Sequence, residues 1–242
     1  MIIHVLPGDA YVDTFRESGI EGEVAIFREC LIEGDLSGEN LDDLWRSREQ
    51  FLTAAYPDPD KSYRDFVVRE IDKFAHAKSG DEVNLWFEYE LFCSVNYWFC
   101  LNLLSDSGSD VYRVAPTVRD ASTKWRGFGR LEEAEFIACF NDRVKLNEDD
   151  IKLGRDLWNA FRSGDTDRLL SLGTSASPAF PYLIDVTEAA VEMDTKLKKI
   201  LAEVMAEGVT EFAEIFPRFA RRAGVYGLGD LQVKRLLDGI TR

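Results

Sequence analysis

An α/β fold is predicted for this 242-residue chain, with a parallel sheet in the N-terminal half and helices alone in the C-terminal half. Three observations predict it. Four short apolar runs between residues 2 and 115 have the length of buried strands. They alternate with segments of helical period, the order that yields a parallel sheet covered on both faces. From Arg119 onward strand signals disappear and helical patterns take over.

The first run, Ile2–Leu6, meets Pro7-Gly8-Asp9, a strand followed by a turn and a helix N-cap at Asp9. Val12 and Phe15 mark a short helix over residues 11–18, stopped by Gly19. The second strand is 24–27. Leu41, Leu44, Trp45, Phe51 and Leu52 place a helix over 40–55, and Tyr63, Phe66, Val67, Ile71 and Phe74 place another over 63–74, with Pro57-Asp58-Pro59 breaking the chain between them. The third strand, 83–87, leads into Leu91–Leu104, apolar on nearly every face and therefore a central helix. The fourth strand, 111–115, stops at Pro116. Further helices are expected at 131–140, 147–162 (capped by Asn147), 165–172, 181–204, 210–222 and 231–240. The expected architecture is a Rossmann-like or flavodoxin-like sheet of about four strands in residues 1–118, then an all-helical domain in 119–242. Residues 177–242 are a candidate helix-turn-helix or winged-helix-like subdomain.

Charge and cysteine usage narrow the classes. The net charge of −15 disfavours non-specific binding to nucleic acid or anionic membranes. It is uneven: residues 1–120 carry 24 acidic against 11 basic side chains, and residues 121–242 carry 20 against 18, which favours two domains. Cys30, Cys93, Cys100 and Cys139 include no C-x-x-C, and His4 and His76 are the only histidines, so a zinc site is not expected and reduced, buried thiols are. Cys93 and Cys100, seven apart, would share a helix face. The chain opens on a strand with no basic leader, and its most apolar stretch is too short to span a bilayer, so a soluble, cytoplasmic, bacterial-type protein is expected.

In parallel α/β sheets ligands bind beyond the carboxyl ends of the strands. Those ends deliver Gly8 and Asp9, Arg28 and Glu29, Glu88 and Glu90, with Arg113 nearby. Two chemistries fit. A Gly-containing turn at a helix N-terminus can hold phosphate, with Arg28 as a bidentate partner. Asp9, Glu29, Glu88 and Glu90 can hold Mg²⁺ or Mn²⁺ through oxygen. Each residue also has a structural explanation: Asp9 as a cap, Arg28 and Glu29 on opposite faces of their strand, Glu88 and Glu90 as solvated or capping groups of a strand-to-helix turn. No G-x-G-x-x-G, P-loop or G-x-S-x-G is present, and His4, mid-strand, reads as a core histidine. The leading expectation is a small phosphorylated or nucleotide-like ligand, with or without turnover.

The tail carries a second expectation. Arg218, Arg221, Arg222, Lys234, Arg235 and Arg242 outnumber Asp230 and Asp238, and a glycine-rich connector joins two helices. Such a pair can meet nucleic-acid phosphates; packing against the acidic half accounts for the same charges. An interaction scaffold or homo-oligomer is the third expectation.

Segments along nearly the whole chain, "IIHVLPGDAYVDTFRESGIEGEVAIFRECLIEGD", "EVNLWFEYELFCSVNYWFCLNLL", "WRGFG", "DDIKLGRDLWNAFRSGD", "FPYLIDV" and "GVYGLGDLQVKRLL", together resemble the bacterial family called domain of unknown function 1835 and its usual C-terminal partner. The resemblance brings no activity with it. It implies that Gly8, Asp9, Arg28, Glu29, Glu33, Trp86, Glu88, Asn96, Gly229 and Asp230 are pattern positions. Where many members read Phe-Glu-His-Asp or Phe-Glu-Tyr-Asp, this chain has Phe87-Glu88-Tyr89-Glu90, and where members carry Gln it has Ser94.

Overall fold

In the computed structural model one five-stranded sheet has the order β2-β1-β3-β4-β5, with β1 at Ile2–Leu6, β2 at Glu23–Ile26, β3 at Glu82–Trp86, β4 at Asp110–Val114 and β5 at Val144–Lys145. Residues 1–58 and 60–240 are described, the Arg130 side chain aside; Pro59 of the expected helix break and Arg242 of the basic tail lie outside them. The first four strands are parallel: His4 pairs with Val24 on one side and Asn84 on the other, and Leu85 pairs with Arg113. β5 corrects the expectation of a purely helical second half, because it adds antiparallel to the edge of β4. Two residues leave neither a period nor an apolar run in the sequence, so only the β4 edge defines them.

The helices are α1 (Val12–Glu17), α2 (Leu41–Ala55), α3 (Arg69–Ala75), α4 (Leu91–Leu104), α5 (Glu133–Asn141), α6 (Glu148–Ser163), α7 (Thr166–Gly173), α8 (Leu183–Met205), α9 (Phe212–Arg222) and α10 (Asp230–Ile240). Asn40 and Asn147 accept the backbone N–H three residues on, capping α2 and α6 as the sequence leads one to expect. The segment expected as one helix at 63–74 is helical throughout, opening with a π-helical turn, Arg64–Val68, that runs straight into α3.

Strand alternation sends Ile3 and Val5 to one face of the sheet, and Leu6 to the other. The second face is a small core in which Leu6, Trp86 and Val114 meet Phe15 of α1 and Phe136 and Cys139 of α5. His4 belongs to this side: it is fully buried, its Nδ1 accepts from Trp86 Nε1 at 3.1 Å, and its Nε2 lies 3.2 Å from the Glu21 carbonyl. Burial holds its pKa below the ordinary value. The first face carries the large core. There α4 is buried along most of its length, and α6 crosses it so closely that a Cβ on Gly154 would overlap Leu101. This core runs without a gap from Ile3 to Leu237, through the expected domain boundary at 118/119. Among the described residues no helix is long and apolar enough to cross a membrane, and the four cysteines are free.

Candidate functional site

Because β1 to β4 are parallel, their C-terminal ends share one rim. The direction of strand addition reverses between β1 and β3, the position at which open parallel sheets take their ligands.

At the β1–β2 side Asp9 is the first residue of a single 3₁₀ turn, Asp9–Tyr11, and its carboxylate makes no cap. The cap expected there is lost to Arg28, whose Nε and Nη2 donate to Asp9 at 2.9 and 2.8 Å. Those hydrogen bonds hold the Asp9 carboxyl below the usual carboxylate range. The guanidinium also lies 4.0 Å from the Phe66 ring centre and donates to the Phe66 carbonyl at 2.8 Å. Gly8, at φ +144°, makes the turn possible.

Glu29 and Asn96 are drawn inward. Glu29 is fully buried against Arg48, with Nη2 donating to Oε2 at 2.9 Å and the Tyr63 hydroxyl to Oε1 at 2.5 Å. Asn96 donates to the Glu29 carbonyl at 3.1 Å and accepts from Leu31 N–H at 3.3 Å. Both residues thus fix the loop that follows β2. Next to them Glu33 gathers Cys30 Sγ, the Tyr56 hydroxyl, Gln232 and Arg235. This hub borders a cavity of about 880 Å³ whose walls include Asp35, Arg162, Lys198 and Gln232 but neither Glu88 nor Glu90.

At the β1–β3 switch point Glu88 and Glu90 come together. Glu88, two residues past β3, is half-buried; its Oε1 accepts from the Tyr11 hydroxyl at 2.8 Å and from Phe128 N–H at 2.7 Å. Its Oε2 takes no hydrogen bond among the described residues. Glu90 is the N-cap of α4: its Oε1 accepts from Cys93 N–H at 2.9 Å, while Oε2 is buried without a partner among the described residues. A carboxylate there is favoured by the helix dipole, yet the site is closed to water at 4 % exposure. Burial raises the pKa of both groups, that of Glu90 to about 7 with a further push from the Glu88 charge. One carboxylate oxygen from each and Cys93 Sγ lie within 4.8 Å of one another. Two backbone segments wall the cluster, and a Cβ at Gly127 would overlap the Glu88 carboxylate, one at Gly227 the Glu90 side chain.

Sequence reasoning finds Glu88 and Glu90 but misses Tyr11, Cys93 and the two glycines. Cys93 stands three residues after an acidic cap, the spacing that returns a side chain to the N-cap; that signal was available. Arg113 is buried nearby, donating to the Ala179 carbonyl at 2.5 Å and to the Glu88 carbonyl at 3.1 Å.

In the tail, Arg218 and Arg222 both pair with Glu207, Lys234 pairs with Asp238, and Arg235 pairs with Glu33 above the Phe51 and Tyr56 rings. Arg221 lies in the last turn of α9. Most of these charges are therefore met by acids of the chain itself. No family model, curated protein or solved structure matches the chain.

Proposed function

We propose that the chain binds a divalent cation through Glu88 and Glu90 at the rim, and with it a small phosphorylated or nucleotide-like ligand. One observation carries the reading: each carboxylate spends one oxygen on the protein and keeps the other, and the spare oxygen of Glu90 is buried. A buried charge without a partner is costly, and a cation removes that cost. The strand order 2-1-3-4 supports the same location, since flavodoxin-like sheets take their ligands at the β1/β3 switch point. A phosphoryl group would complete the coordination of the ion. Arg28, whose planar fork now holds Asp9, is the cation on the same edge able to take a phosphate oxygen.

The test is thermal unfolding of the full chain against divalent metals, each with and without nucleotides and sugar phosphates. A bound ligand raises the melting temperature by mass action. The expected result is a shift with metal, a larger one with metal and ligand together, and loss of both in Glu88→Gln. No shift anywhere in the panel overturns the reading.

A second reading rests on the Glu90 pKa of about 7. Without an ion, Glu90 can hold a proton near neutrality, the state a general acid needs. Nucleic-acid binding by the tail is weaker, because Arg218, Arg222, Lys234 and Arg235 already have acidic partners.

A further inference from the structure

We infer that Cys93 is the third donor of this site, and that the ion it takes is a thiophilic transition metal of the Zn²⁺ class and not Mg²⁺. The inference rests on the reading that Glu88 and Glu90 bind a cation, and it names which kind.

Three features carry it. Cys93 lies in the first turn of α4, and its own N–H holds Glu90 Oε1 at 2.9 Å, so the helix fixes the thiol beside the carboxylate. Glu90 and Cys93 are each 4 % exposed, and Gly127 and Gly227 press on the carboxylates with no space for a methyl group. Mg²⁺ demands octahedral oxygen coordination and keeps several waters, which such an enclosure cannot admit. Zn²⁺ is satisfied by four ligands and accepts sulfur together with carboxylate oxygen. Finally, the spare oxygen of Glu90 is buried and takes no hydrogen bond among the described residues.

With bonds of ~2.1 Å to oxygen and ~2.3 Å to sulfur, donors at tetrahedral angles on one ion stand about 3.4–3.6 Å apart. The donor atoms here lie within 4.8 Å, so loading draws the farthest pair together by about 1 Å, within reach of carboxylate and thiol rotation. Three donors leave a four-coordinate ion one position for water or a ligand. On binding, the Cys93 thiol gives its proton to solvent and the sulfur lone pair forms the metal bond. The Tyr11 hydroxyl, donating to Glu88 Oε1, holds that carboxylate in orientation.

Metal-free full-length protein titrated with Co²⁺, a spectroscopic substitute for zinc, provides the test. The expected result is an ultraviolet thiolate-to-cobalt charge-transfer band that saturates at one equivalent. Stoichiometric Zn²⁺ should erase it and a large excess of Mg²⁺ should not. The band should vanish in Cys93→Ser and persist in Cys30→Ser. X-ray absorption of the zinc-loaded wild type gives a readout that needs no variant, and one sulfur neighbour is expected. Co²⁺ binding without the band, an all-oxygen zinc shell, or a band that survives Cys93→Ser overturns the inference while leaving the Glu88–Glu90 reading standing. No binding of any ion overturns both.

Discussion

Glu90 titrates on the wrong side of its reference value, and the sign has a measurable consequence. Its carboxyl is raised from 4.5 to about 7 by burial first and the Glu88 charge second. Between those values the folded protein holds a proton that the unfolded chain has released, so stability falls as pH rises through that window. The expected loss is on the order of 3 kcal/mol. In metal-free protein the melting temperature should decline from about pH 5 to about pH 7.5, and Glu90→Gln should flatten the decline. A wild-type melting temperature that climbs over the same interval contradicts this account of Glu90. Arg48 poses the opposite case, a buried charge whose partner is present. Arg48→Met strands Glu29 in the core, and urea unfolding should register a loss of about 3–5 kcal/mol. The sequence makes Glu29 look like a rim carboxylate; nothing local reveals that Arg48, nineteen residues on, will claim it.

At the level of elements, Gly154 sits inside α6 where glycine costs a helix about 1 kcal/mol relative to alanine. Gly154→Ala should therefore stabilise an isolated α6 but destabilise the protein, by about 1–3 kcal/mol, since the new methyl overlaps Leu101 of α4. Adding Leu101→Ala should make the pair cost less than the sum of its parts, read from a double-mutant cycle in urea. Sequence reading succeeds where an element declares itself locally. Leu91–Leu104 matches residue for residue because a continuous apolar segment needs no partner to be recognised, and Asn40 and Asn147 cap where their side-chain chemistry says they should. It fails where a partner decides. β5 exists only on the β4 edge, the cap at Asp9 yields to an arginine delivered by another strand, and Cys93 reads as a mate of Cys100 until Glu90 is seen beside it. The carboxylates of the candidate site were legible from strand order alone. Their enclosure was not, since Gly127 and Gly227 arrive from distant segments.

Across the whole molecule the acidic half and the near-neutral half share one interior. α4 from the first packs on α6 from the second, and the large core includes residues as far apart as Ile3 and Leu237. A fragment of residues 1–118 would expose most of one side of α4. It should show no cooperative thermal transition by circular dichroism; a sharp one would mean that the sheet is an autonomous unit. The Glu33 hub extends the same dependence to the order in which the chain is made. Gln232, 199 residues away, reaches Glu33, and Arg235 joins it from the same turn of α10. Synthesis proceeds from the N-terminus, so Glu33 leaves the ribosome long before either partner exists. Until then Glu33 has only Cys30 and Tyr56, and the loop after β2, tied by Arg48 and Asn96, still lacks its cover from α10.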